Sequence, residues 1–181
     1  MDSLEPKAPL PDDLTRTAII RKLDRLEYLE AEHLRLQARV ETDSLTGLHN
    51  EAGLARAVGG RSGWYVLADL NGFKAVNDRH GHAAGDIVLR EFAGWLQLNT
   101  RQEPGRSSDL VASRLHGDEF AVWTEHRAGA RRVKHAIRAW QSIHYPEATA
   151  SAGMGIDLKA ADASMYLNKS RRKGARKDST R

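Results

Sequence analysis

Trp64-Tyr-Val-Leu-Ala-Asp-Leu70 is a short apolar run bounded by glycines and ending in an acid. A run of that length and composition reads as a buried strand. It puts Asp69 near the strand's C-terminal end, where site residues of α/β folds gather. Leu110–Leu115 and Phe120–Thr124 read as two further strands with His116-Gly-Asp-Glu119 between them. That is a tight hairpin, with Gly117 available for a positive φ. If the hairpin neighbours the Asp69 strand, the carboxylates of Asp69, Asp118 and Glu119 converge.

Working outward, residues 70–82 are polar and glycine-punctuated. Asn50 is a suitable cap for a helix from Glu51 to Val58, and Gly59–Gly63 is a turn. Further helices are expected over Ala83–Leu98, Ala128–Ile143 and Ala160 to about Arg172, and a loop over Arg101–Ser108. A last strand, Ala148–Ile156, is rich in small residues that permit close backbone approach. The order β-α-β-β-α-β-α predicts an α+β sheet with a central hairpin and helices on one side.

Residues 12–42 hold no glycine or proline and read as one helix. Ile19, Leu26, Leu29, Leu36 and Val40 recur at heptad-like spacing, which His33 completes. Such a seam suits a short coiled coil and self-association. Lys22 and His33 on it leave open an amphipathic helix folded onto its own domain. Residues 1–11, with three prolines, read as disordered.

The 181 residues suffice for one domain plus an appendage, and 40% of them are apolar, enough for a real core. The absence of cysteine excludes disulfides and thiol chemistry and fits a reducing cytoplasm. No apolar run approaches the roughly 20 residues that span a bilayer, and the N-terminus carries no signal-peptide pattern. No membrane partner is therefore expected. The net charge of +4 is uneven: Lys169 to Arg181 holds seven cations against Asp178. That tail reads as an arm for nucleic acid or anionic lipid, or as a solvated terminus, the reading we favour, which leaves nucleic acid an unlikely partner. Lys169 and Lys173, four apart, share a helix face and can meet phosphates together.

Carboxylates held close together repel unless a cation sits among them. Oxygen-only ligands favour Mg²⁺ or Mn²⁺, as two-metal phosphoryl or nucleotidyl transfer requires. Asn77 and Asp86 lie in a segment dense in amides, acids and glycines. One carboxylate can take both guanine donors, N1–H and N2–H₂, and an amide can complete the edge. His80-Gly-His82 is too short for a helical metal-binding pair.

Five segments together carry a resemblance: Asp43-Ser-Leu-Thr-Gly-Leu48, Asp69-Leu-Asn-Gly-Phe-Lys through Gly85-Asp86, Arg114-Leu-His-Gly-Asp-Glu-Phe120, Ser151-Ala-Gly153 and Ala161-Asp-Ala-Ser-Met-Tyr166. In this order they resemble the signature of the GGDEF domain family, the diguanylate cyclases, over Asp43 to about Lys173. The resemblance implies a palm-type, ferredoxin-like antiparallel sheet with surrounding helices, preceded here by the long N-terminal helix. It divides the chain into a GGDEF domain at 43–173 and a basic tail at 174–181. It implies joining of two GTP into cyclic di-GMP with release of pyrophosphate, in a homodimer in which each copy holds one GTP. In that reading Asp69, the Leu70 carbonyl and Asp118 hold Mg²⁺ or Mn²⁺, and Glu119 is the adjacent catalytic acid. Asn77 and Asp86 read guanine. Phe73, Lys74, Gly117, Lys169 and Lys173 surround the phosphates, Phe73 as packing, and the N-terminal helix aligns the two halves.

Several positions depart from that pattern. His116 stands where the family has its first signature glycine, adding bulk to the hairpin. Glu51 reverses the charge of the arginine that commonly follows Asn50. Asn168-Lys169 replaces alanine-lysine, and Arg172 replaces a glycine. Arg106-Ser-Ser-Asp109 resembles the family's product-inhibition site with one extra residue before Arg114, which a bulge would have to absorb. These departures keep a second reading open: a catalytically inactive module that binds GTP or cyclic di-GMP.

Overall fold

The computed structural model describes residues 13–100 and 110–167. The expectations for residues 1–11, the Arg101–Ser108 loop, Arg106, Asp109, Lys169, Lys173 and the basic tail lie outside the described residues. The chain divides into two compact units, 1–39 and 40–181.

The first unit is helical from Asp13, and the helix α1 (Asp13–Glu41) runs unbroken as its composition predicts. Its apolar seam is open: Ile19, Leu26, Leu29 and Leu36 are each about half exposed. No helix among the described residues is long and apolar enough to cross a membrane.

The second unit carries α2 (Glu51–Val58), β1 (Trp64–Asn71), α3 (Phe73–His80), α4 (His82–Thr100), β2 (Val111–His116), β3 (Glu119–Thr124), α5 (Arg127–Ala139) and β4 (Thr149–Gly155). A last helix, α6, covers 158–167. The strands form one antiparallel sheet in the order β2-β3-β1-β4. The Asp69 strand is therefore internal, with the hairpin on one side of it and β4 on the other.

The structure adds one element and corrects two expectations. The polar, glycine-punctuated residues 70–82 hold a helix, α3, at Phe73–His80. Its start is hidden because Gly72, at φ 79°, supplies a turn and no side-chain cap. Its two apolar anchors, Phe73 and fully buried Val76, are too few to show a period. First, α5 stops at Ala139, not at Ile143. Trp140 is extended, and its indole lies edge-on to Phe92 at 4.9 Å, so core packing ends the helix. Second, the helices cover both faces of the sheet. Val66, Ala68 and Leu70 of β1 join a cluster with Phe120, Phe92, Leu96 and Ile137. Leu67 joins Ala121, Trp123, Leu54, Val58, Ala161 and Met165 in another. Period-two alternation along β1 separates the two cores.

The small residues of β4 act as expected. A Cβ on Gly153 would overlap the Ala161 carbonyl and the Met165 amide. Only glycine lets α6 pack this closely on the strand.

Candidate functional site

The site lies where β1 leaves the sheet. Asp69 pairs in register with Glu119 of β3 on one side and with Ser151 of β4 on the other. Directly opposed residues of an antiparallel pair point to the same face, so Asp69 and Glu119 present two carboxylates side by side. Like charges so placed destabilise a sheet unless something cationic joins them. Asp118 comes in through the backbone: the Leu70 amide donates to its carbonyl at 3.3 Å. Among the described residues no three His, Asp or Glu side chains form a ready-made metal cluster. The register thus sets Asp69 and Glu119 side by side, with Asp118 in the turn next to them. A hard cation that takes one or two carboxylates plus substrate oxygens needs no all-protein cage.

Ser151 donates to Asn71 Oδ1 at 2.9 Å, and Asn71 Nδ2 donates to Thr149 Oγ1 at 3.2 Å. These bonds pin β4 to β1 immediately beyond Asp69. Neither residue type stands out in a polar stretch, so sequence reasoning missed them.

The hairpin turns through Gly117 and Asp118, with His116 opposite Glu119. Gly117 takes φ 52°, the positive value foreseen for it. An extra residue in β2, Leu115, shifts the register between Arg114 and His116. This bulge lies beyond Arg114, so it does not absorb the extra residue before it. His116 has no positive φ, so a side chain there costs no backbone strain. The imidazole is largely exposed, and its Nδ1 stands 3.1 Å from Glu119 Oε2.

Arg114 fixes the turn. Its Nε and Nη2 donate to the Gly117 carbonyl at 3.0 and 2.7 Å, and its Nη1 donates to both oxygens of Asp43 at 3.1 and 3.2 Å. Asp43 also accepts from the Thr46 amide and hydroxyl. Burial works to raise the Asp43 carboxyl, but the Thr46 and Arg114 hydrogen bonds outweigh it and hold it below its ordinary 3.8. A contact across 71 positions leaves no local signal, and both residues were legible only as members of motifs.

The second cluster is the α3–α4 corner. Asn77 Oδ1 is buried and has no hydrogen-bond partner among the described residues. It is pressed against Gly85, where a Cβ would overlap it. Asp86 follows on α4 and stands 3.8 Å from Arg90. Phe73 packs on the core, as expected. Lys74 is exposed and pairs with Asp78 at 3.2 Å. Glu51 occupies the first turn of α2 behind the Asn50 cap, where a negative charge suits the helix dipole. The reversed charge therefore has a local structural reason.

His80 tilts on Tyr145 with ring centroids 5.3 Å apart, and His116 faces Glu119.

The family model described as "Diguanylate cyclase, GGDEF domain" matches residues 40–174, more than half of the chain. Diguanylate cyclase DgcP of Escherichia coli (strain K12) is 32% identical over 183 residues, covering 83% of this chain and 50% of that protein. Diguanylate cyclase SiaD of Pseudomonas aeruginosa, solved in complex with its activator SiaC, is similar at a TM-score of 0.62 and 26% identity, over 87% of this chain and 70% of that one. The coiled coil and GGDEF domain of DgcB from Caulobacter crescentus, solved with c-di-GMP, shares the fold at a TM-score of 0.63 and 22% identity, over 86% and 94% of the two chains. The chain spans half or less of the length of the first curated relatives it matches.

Proposed function

Since the chain belongs to the GGDEF domain family, we propose that it condenses two GTP into cyclic di-GMP, releasing pyrophosphate, at a site completed by a second copy. The observation that carries this reading is the register that sets Glu119 directly opposite Asp69. Two carboxylates held so, with the Leu70 carbonyl and Asp118 beside them, fit Mg²⁺ or Mn²⁺. Such an ion, when bound, would neutralise charge at the phosphates.

The chain's own groups do the remaining work. Asp86 takes the N1–H and N2–H₂ donors of guanine, releasing Arg90. Asn77, with Oδ1 turned into the protein, offers Nδ2 to O6. Adenine leaves the Asp86 carboxylate without its donor pair, the stronger kind of discrimination. Gly117, held by Arg114, lets the hairpin backbone approach the phosphates. Lys74, Lys169 and Lys173 are assigned to the triphosphate. In the transfer itself a 3′-hydroxyl oxygen bonds to the α-phosphorus of the GTP on the other copy. The bond from that phosphorus to the bridging oxygen breaks, pyrophosphate leaves, and Glu119 is placed to accept the hydroxyl proton. The exposed seam of α1 supports pairing of the two copies, which raises the effective concentration of the half-sites.

A second reading keeps the binding and drops the turnover: the His116 contact occupies the Glu119 carboxylate. Incubation of the folded, dimeric protein with GTP and Mg²⁺ separates the two. Cyclic di-GMP supports the cyclase, and tight guanine-nucleotide binding without product supports the inactive module. Absence of any nucleotide binding sinks both.

A further inference from the structure

Helix α5 reads Arg-Ala-Gly-Ala-Arg-Arg-Val-Lys-His-Ala-Ile-Arg-Ala and contains no acid. Ala130, Val133 and Ile137 bury its inner face in the core. Arg127, Arg131, Lys134 and Arg138 recur at helical spacing along one flank, a stripe about 16 Å long at 1.5 Å per residue, with Arg132 beside it on the solvent side. None of these five forms an ion pair among the described residues; Arg127 lies over the Trp64 ring at 5.1 Å.

Only Arg127, over Trp64, and Arg138, in the last turn, are favourably placed for folding. Cations at i and i+4 repel, and the Arg127, Arg131 and Arg132 charges sit in the half of the helix where the dipole disfavours them. No acid in the first turn offsets them. The stripe is therefore built for an anion outside the chain.

A second observation lies just past the helix. Ile143 is 86% exposed, while Ser142 beside it is buried. Ser142 Oγ donates to Glu91, His144 Nδ1 contacts the same carboxylate, and the Tyr145 amide donates to Ser142 Oγ at 3.0 Å. Both neighbours of Ile143 are thus anchored, and an apolar side chain is held out in water on a fixed tip. Ile143 follows Arg138 by five residues, within about 18 Å of chain.

We propose that α5 and the Ile143 tip dock the domain on an anionic lipid bilayer, with the guanidinium stripe on the headgroup phosphates and Ile143 in the acyl boundary. Charge attraction plus one apolar insertion is the pair of signals that reversible surface attachment needs. Arginine predominates over lysine in the stripe, as bidentate phosphate contact favours. Nucleic acid fits less well. α5 has no amide side chain to read base edges, and Ile143 adds nothing to a phosphate surface. The expectation of no membrane partner rested on the lack of a spanning run; this attachment needs none. α5 packs in the core on the face of the sheet opposite the one carrying Glu119 and Asp69.

The test is sedimentation of the full chain with vesicles of phosphatidylcholine plus phosphatidylglycerol, against phosphatidylcholine alone, at low and high salt. Parent protein is expected to partition only onto the anionic vesicles and to release at high salt. Arg131→Glu with Arg138→Glu should weaken partitioning at least about tenfold, given roughly fivefold per cation. Ile143→Ser should weaken it severalfold while leaving the salt dependence in place. All are surface substitutions, and unchanged thermal melting confirms the fold. Equal partitioning of parent and charge-reversed variant overturns the proposal, as does complete loss on deleting residues 168–181 alone. Binding of a duplex oligonucleotide by the parent, lost in the charge-reversed variant and without vesicle partitioning, also overturns it, in favour of a nucleic-acid surface.

Discussion

His116 Nδ1 lies 3.1 Å from Glu119 Oε2 across the two-residue turn, and Glu119 in turn stands opposite Asp69. The histidine therefore acts on the site through a carboxylate rather than through its backbone, which carries no strain. Its side chain is 74% exposed, so the pair is screened by solvent and weak. His116→Gly should free Glu119 and raise GTP turnover by less than about fivefold, the reach of an exposed pair. The hairpin should lose about 0.5–1 kcal/mol from the added glycine. A gain of a hundredfold or more would show that bulk at this position blocks the site.

Asp43 and Glu91 give the domain an acid-sensitive stability. Burial raises each carboxyl, but Asp43 is carried below 3.8 by Thr46 and Arg114, and Glu91 below 4.5 by Ser142 and His144. A carboxyl with a lowered folded value contributes stability that is full well above its unfolded value and fades as pH falls through the folded one. Melting temperature should fall as pH drops below about 4.5, through both Glu91 and Asp43. Asp43→Asn should cost about 1.5–3 kcal/mol near neutrality, by removing a charged partner from mostly buried Arg114. It should also flatten the acid limb of the curve. A variant whose limb matches the parent's would remove Asp43 from this role.

Gly85→Ala should disable guanine recognition without touching a group that meets the base. The new methyl would overlap Asn77 Oδ1, which has no room to retreat because it is buried. Displacing that amide should weaken GTP binding tenfold or more. The overlap should also cost about 1–3 kcal/mol of stability. Competition binding with GTP and ATP reads the effect: guanine preference should shrink while weak ATP binding persists. Preserved preference would mean that Asn77 is not held by Gly85.

The legible parts of this molecule were those with local chemistry. Asn50 accepts from the Gly53 amide and starts α2 at the foreseen residue, and the run Trp64–Leu70 became an internal strand. Gly117 took its positive φ, and the Asp69 and Glu119 motifs met in register. What stayed hidden depends on distant partners. α3 starts from a glycine turn where a Cβ would overlap the Glu147 carbonyl, and α5 ends where Trp140 finds Phe92. The Arg114–Asp43 clamp joins residues 71 positions apart. Strand alternation predicts two faces, but it does not say which helix covers each, and the expectation of helices on one side failed for that reason.

The seam of α1 makes the last prediction, because the proposed function gives each chain a half-site and so makes turnover depend on pairing. Leu26 and Leu29 are 55% and 47% exposed and occupy successive core positions of the heptad pattern. Burying each against a second copy is worth about 1.5–3 kcal/mol, and a dimer buries both from each chain. Leu26→Lys with Leu29→Lys should remove that gain and add like-charge repulsion, so the variant should sediment as a monomer where the parent is a dimer. Turnover per chain should then fall more than tenfold at micromolar protein and climb with concentration, as it must when two half-sites meet by diffusion rather than by tether. The globular unit should melt unchanged, which separates lost pairing from lost folding. A monomeric variant with undiminished turnover would refute both the seam's role and the shared site.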